Sequence, residues 1–445
     1  MNKIISVGAN IILLLQPLFA IPLYFTVLAN NPPLWVSLII SLVPLVVRYQ
    51  QENTLFKRTI FDVPILIFMV GSVVGFFIAG NKDVAQTGLI SLLASILIYY
   101  GVTSNGDRGK KYWTVFGTAI ILISVVFAIW FFSQGPSKIF FFNRWAFDLF
   151  KSVPKTAGIS LGIHGIGALF AAVIPVVIAA VLFVKTSKAR ILLGTLTLFL
   201  ISLLFFSASG EGWMAFGVSL FVILICWDKR SLLFLIPTYS ILIGVFLFFY
   251  TNTIWLNISF SFTRVTERID LWMKTFPLLS NSHSFLGLGL GNWAEEFNKY
   301  YRSAEMTSHN NYLQIYTDIG ILGVLAISFA VVIFIMTAVK MLNSNKTGIL
   351  KGLSIGLVGS FIGGAFFNMF DVTLNGPIIN NGSYIYLYVP FLWVWAAAYA
   401  VVFQKIDTKN NPDFIQLFRT QKAVDFLATE NQRGIDTNVG KSSAE

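Results

Sequence analysis

Charge is scarce in this chain: of its 445 residues only 11% are Asp, Glu, Lys or Arg, against 56% hydrophobic, and the mean hydropathy is +0.75. Soluble domains carry roughly a quarter charged residues, so this composition excludes one and points to a polytopic membrane protein. Repeated spans of about 20 apolar residues consume such a chain, and one membrane domain is expected where length alone suggests several. Cysteine is almost absent. The single Cys226 excludes an intrachain disulfide and a thiolate metal cluster. No small-residue cleavage site follows the first apolar segment, so that segment reads as a retained helix. No internal repeat at a fixed period is evident, and spans broken by Gly or Pro do not recur at matching positions in the two halves.

What is present is a series of apolar runs, at about 4–29, 34–48, 60–80, 87–101, 113–133, 164–184, 191–209, 213–227, 231–250, 310–337, 352–370 and 384–403. These predict about twelve transmembrane helices in an all-α fold. Of the 31 Lys and Arg, 21 fall at the amino terminus, in the tail and in the loops on one side; nine of the other ten sit in just two long loops, 134–163 and 251–309. The positive-inside rule, which weights short loops, makes both termini cytoplasmic and turns the two long loops outward. The net charge of +11 thus follows the membrane and gives no nucleic-acid signal. The expected organisation is a transmembrane domain over 1–403 and a cytoplasmic tail over 404–445, where Pro412 to Thr429 has the spacing of a short amphipathic helix.

The loops hold the polar chemistry. The segment Ile139–Phe150 is aromatic-rich around Arg144, which suits an interfacial anchor, with Arg144 as a phosphate contact the sharper alternative. Loop 251–309 is too long for a structureless connection. Its segment 263–276 has helical spacing, and Arg264, Arg268 and Trp272, four apart, share one face. By spacing alone this is either a salt-bridged surface helix using Glu267 or a grip for phosphate, since two guanidinium forks in line match adjacent phosphates. The run Phe285–Trp293 places Gly287, Gly289 and Gly291 alternately with Leu. Outside a strand–turn–helix unit that is a weak nucleotide signal, and close backbone approach at the membrane surface is the simpler use.

At 305–323 a polar cluster with one histidine runs directly into an apolar helix. Placing such a cluster at the mouth of a span is costly unless water, a partner or a substrate meets it. Thr307 or Ser308 is a good N-cap, which would put His309 in the first helical turn, where the helix dipole disfavours imidazolium. Helical phase would set Gly320 and Gly323 within about 40° of His309 and Asp318 at about 180°. The small residues would then let a neighbouring helix approach closely. On these grounds alone, a structural hydrogen-bonder and a general base both remain open for His309.

The pattern His309-Asn310, nine residues, Gly320, two residues, Gly323 resembles the signature of bacterial O-antigen ligases, with all four positions matched. Arg268, Trp272, Pro277 and the Gly287/Gly289/Gly291 run before an aromatic are similar to the large late loop of the wider O-antigen ligase and polymerase superfamily. The resemblance covers 264–323. It implies a C-type glycosyltransferase fold with a large helical periplasmic loop, in the bacterial inner membrane, with the active site facing the periplasm or cell exterior. It implies metal-free, cofactor-free, inverting transfer from an undecaprenyl-diphosphate-linked glycan to an acceptor hydroxyl. On that resemblance His309 assists or positions the acceptor hydroxyl and Arg268 binds the diphosphate; Arg264, Arg302 and Arg144 are further candidates for a diphosphate contact that the resemblance does not itself assign. In one departure, a Ser-Arg-Gly that family members often place near the outer end of an earlier span reads Ser209-Gly-Glu-Gly-Trp213 here.

A ligase would move the finished glycan to lipid A core, whereas a polymerase would use a lipid-linked acceptor and join repeat units by the same chemistry. A secondary transporter would also suit twelve spans, but transporters concentrate polar groups and broken helices at mid-membrane, whereas here they gather in the long loops.

Overall fold

The computed structural model describes residues 3–16, 34–106, 108–109, 111–119, 122, 163–207, 209–231, 233, 237, 240, 262–281, 285–302, 307–371, 375–380, 383–388 and 390–407. Residues 134–162 of the first long loop, with Arg144, and the tail helix expected over 412–429 lie outside them. The chain forms two compact units, Met1–Val402 and Phe403–Glu445.

The fold is that of a helical, polytopic membrane protein. Its helices are α1 (Lys3–Leu15), α2 (Leu34–Glu52), α3 (Asp62–Ile78), α4 (Lys82–Asn105), α5 (Ile163–Phe183), α6 (Ser187–Ser207), α7 (Gly210–Trp227), α8 (Phe262–Asn281), α9 (Trp293–Tyr301), α10 (Asn311–Asn343), α11 (Ile349–Phe367) and α12 (Pro390–Asp407). Among the described residues five stretches are long and apolar enough to cross a membrane: Lys82–Asn105, Ser187–Leu204, Gly210–Trp227, Asn311–Asn343 and Ile349–Phe367. Many apolar side chains on these helices stay exposed, such as Leu198 at 69% and Val332 at 54%. Lipid replaces a protein partner on such faces.

One departure from the all-helical expectation lies before α12. Residues 375–380 and 383–388 form an antiparallel hairpin, β1 and β2, with Asn380 opposite Ser383. The last apolar run, expected as one helix over 384–403, therefore begins as a strand and turns helical only at Pro390.

Small residues set the helix packing, as expected where lipid tails are as apolar as the side chains. A Cβ on Gly356 of α11 would come within 2.7 Å of the Val176 backbone in α5, and one on Gly363 within 2.5 Å of the Ala215 carbonyl in α7. Ser360 Oγ donates to the Ala172 carbonyl at 2.8 Å and accepts from the Trp395 indole at 2.8 Å, joining α11, α5 and α12. A second group is tied by charge. Buried Arg48 of α2 bonds Glu52 and the Ser104 carbonyl, and Arg108 reaches the same carboxylate at 2.6 Å.

Helix α10 packs on α3 and α11, and it is broken at Gly320 (φ 61°, ψ −146°). In a regular helix the Ile321 amide would bond the Thr317 carbonyl. Here Leu288 N takes Thr317 O at 2.6 Å, and Ile321 N donates to Phe285 O at 2.9 Å. The glycine loop has spliced itself into the helix ladder, so the Thr317 carbonyl and the Ile321 amide freed by the kink both keep a partner. Only glycine reaches the Gly320 conformation cheaply, and a Cβ there would run into the Phe285–Leu286 backbone. Gly320→Ala is expected to cost at least about 1–3 kcal/mol, the cost of strained backbone alone. A thermal midpoint of the detergent-purified variant equal to that of the parent would contradict this.

Candidate active site

The site begins with α8. Its Leu271 and Leu278 face inward against Trp293 and Phe297 of α9, while Ile269, Met273 and Phe276 stay exposed at 48%, 65% and 54%. An amphipathic helix with an apolar outer stripe suits a membrane interface. Thr275 Oγ1 accepts from the Trp293 indole at 3.2 Å, and Tyr301 Oη donates to the Lys274 carbonyl at 2.9 Å, so α8 and α9 form one unit. Helix α9 had no counterpart in the sequence reading.

Arg268 and Trp272 lie one turn apart on α8, and each reaches a different part of the chain. Arg268 Nη2 donates to Glu211 Oε1 at 2.6 Å, and both side chains are nearly buried, 10% and 8% exposed. Glu211 sits in the first turn of α7, whose N-cap Ser209 accepts from Gly212 N at 3.0 Å. The positive end of that helix suits a carboxylate, and the carboxylate in turn supplies the counter-ion a buried guanidinium requires. The Trp272 indole donates to the Ser308 carbonyl at 2.8 Å, clamping the residue before His309.

His309 itself lies outside the helix. The cap of α10 is Asn310, whose side chain accepts from Leu313 N at 3.0 Å, so the expected cap at Thr307 or Ser308 and the expected place of His309 in the first turn are both corrected. Ser308 is otherwise engaged: its amide donates to Gln314 Oε1 at 3.2 Å and its hydroxyl to the Asn310 carbonyl at 2.9 Å. Between these fixed neighbours His309 takes a left-handed backbone, φ 49°, uncommon for a non-glycine residue. The phase argument that put Gly320 and Gly323 on its face fails too, because His309 precedes the helix and the helix breaks at Gly320. The close approach to a neighbouring helix uses glycines of α3 instead: a Cβ on Gly71 would meet Leu322, and one on Gly75 would meet the Asp318 carbonyl at 2.7 Å. At Gly323 a Cβ would meet Ile315 and Ile319 of its own kinked helix.

The ring of His309 faces Asp371, Nδ1 to Oδ1 at 3.3 Å, and is 34% exposed while the carboxylate is 6% exposed. Asp371 follows the end of α11, where Asn311 N donates to the Asn368 carbonyl at 2.9 Å and Tyr312 Oη to the Ala365 carbonyl at 2.9 Å. Those two bonds fasten the start of α10 to the end of α11 and so set the histidine beside the aspartate. A carboxylate at Nδ1 favours the tautomer with the proton there, leaving the Nε2 lone pair to accept one, and it stabilises the imidazolium that results. Asn311 adds a fully buried carboxamide whose two ends make no hydrogen bond among the described residues.

Asp318 has another task. It accepts from Gln314 Nε2 at 3.1 Å and from Gly291 N at 3.3 Å, fixing the glycine loop. Gly287, Gly289 and Gly291 all have positive φ, and Leu290 N donates to the Gly75 carbonyl at 3.1 Å. The amides of Leu288, Leu290 and Gly291 are thus spent on the protein, which makes this run a close-approach splice. Of the other arginines, Arg302 closes α9 with φ 52° and is exposed, Arg264 lies on α8 with its side chain outside the described residues, and Arg144 lies wholly outside them. Trp272, His309, Asn310 and Asp371 are brought to one corner, with Arg268 a turn away along α8.

A membrane-embedded helical protein with a buried arginine and a carboxylate-oriented histidine beside its spans has the makings of an enzyme that works at the bilayer surface. Residues 195–328 match the family model described as O-antigen ligase, which supports the resemblance to the O-antigen ligase and polymerase superfamily over that stretch of the chain. The matched stretch includes Glu211, Arg268, the glycine run, His309, Gly320 and Gly323; Asp371 lies beyond it. No curated protein matches the chain.

Proposed function

We propose that this protein is an O-antigen ligase-like glycosyltransferase, moving a glycan from undecaprenyl diphosphate to an acceptor sugar hydroxyl, that of lipid A core, on the outer face of the bacterial inner membrane. The observation that carries the reading is His309 held against buried Asp371 at a partly exposed corner. The acceptor hydroxyl gives its proton to His309 Nε2, and its oxygen forms the new bond to the anomeric carbon. The bond from that carbon to the phosphate oxygen breaks, its electron pair leaving with undecaprenyl diphosphate. Attack from the face opposite the leaving group inverts the configuration. Asp371 balances the imidazolium, and Arg268 stabilises the charge developing on the leaving diphosphate. Proton transfer and charge stabilisation supply the catalysis here, and neither requires a metal ion.

The test is transfer by the purified protein in vesicles holding lipid-linked glycan together with both candidate acceptors. Glycan is expected on lipid A core. Extension of the lipid-linked glycan alone would make the protein a polymerase, and solute flux without transfer would contradict both.

A further inference from the structure

The bond between Glu211 and Arg268 has a feature that stabilising a fold does not require: it uses a single nitrogen. A guanidinium facing a carboxylate squarely makes two parallel bonds. Here only Nη2 reaches Oε1, at 2.6 Å, and the rest of the fork makes no other hydrogen bond among the described residues. The guanidinium has five N–H donors in a rigid plane, so fixing one nitrogen aims the others. Glu211 is itself fixed, in the first turn of α7 behind the Ser209 cap. The outer partner, α8, is held on its other side through Trp272 and Ser308. The arginine is therefore gripped at one corner and offered at the rest.

We propose that Glu211 is a positioning residue for the anionic leaving group, aiming the Arg268 fork at the phosphate and weakening its hold by one negative charge so that the product can leave. This rests on the transferase reading above. A guanidinium held in the same position by an uncharged acceptor would bind a diphosphate tightly and release it slowly. A carboxylate beside it repels the same anion, and the two effects are separable because a glutamine keeps the hydrogen-bond acceptor and removes the charge.

The experiment measures donor KM, acceptor KM and kcat in vesicles, with binding of undecaprenyl diphosphate measured separately without acceptor. Glu211→Gln is expected to tighten diphosphate binding and lower donor KM about three- to tenfold, with kcat falling as product release slows. Glu211→Ala frees the fork and is expected to raise donor KM tenfold or more, and Glu211→Asp, which withdraws the carboxylate by one methylene, to raise it by less. Acceptor KM should not move. A merely structural latch would change thermal midpoints and leave donor KM at the parent value in the folded variants, and that result overturns the proposal. If the alanine variant does not fold, the Gln and Asp variants decide it by the opposite signs of their effects. A parent that binds the diphosphate, with affinity shifted by Glu211→Gln, yet transfers no glycan would sink the transferase reading and leave this inference standing. Normal transfer with donor KM unmoved would do the reverse.

Discussion

Arg268→Ala is expected to abolish glycan transfer and to destabilise the protein, two effects with separate causes. In the proposed mechanism the loss of transfer follows from removing the fork that would meet the departing diphosphate. Deleting one well-placed electrostatic contact to a developing anion typically costs about 10²–10³ in rate. The loss of stability follows from Glu211, whose nearly buried carboxylate would lose its bond to the Arg268 guanidinium. Breaking such a pair from one side costs about 3–5 kcal/mol. Arg268→Lys divides the two. An ammonium keeps a charge near Glu211, so the thermal midpoint should stay close to that of the parent, while the planar fork is lost and transfer drops sharply. A lysine variant with parental activity would show that charge alone suffices and that the fork geometry has no role.

His309→Ala is expected to reduce transfer about 10²–10⁴-fold, the usual range for a positioned general base, with insertion and folding unchanged because the ring is one-third exposed. Asp371→Asn should lower kcat as well. The amide can hold the ring, yet it can donate to Nδ1 and so favour the tautomer with the proton on Nε2, the wrong nitrogen for a base there. Its effect should vanish in the His309→Ala background, since the aspartate acts through the histidine. Additive losses in the double variant would mean that Asp371 works elsewhere. Full activity in His309→Ala would remove the assigned role outright.

Much of this corner was legible in the sequence, because its parts are local. The polar cluster running into a span, the alternating glycines and the Arg268–Trp272 spacing all lie within one stretch, and each reappears as a clamp or a splice. The helix start was misjudged by two to three residues since Thr307, Ser308 and Asn310 all make good caps. Asn310 wins because Ser308 is held by Gln314. What pattern reading missed is long-range. Asp371 lies 62 residues from His309, and Glu211 lies 57 from Arg268. Their signal was present in weaker form: single carboxylates at the ends of apolar segments, where a charge without a purpose is expensive. Glu211 drew notice only as a substitute for an arginine. Its place against Arg268 turns that substitution into a pairing of opposite charges.

The most direct test of the mechanism is the anomeric configuration of the transferred sugar, read by NMR on product made from a donor of known configuration. A single displacement, with His309 taking the acceptor proton, predicts complete inversion. Retention would require a covalent glycosyl intermediate on the protein, and would contradict the account.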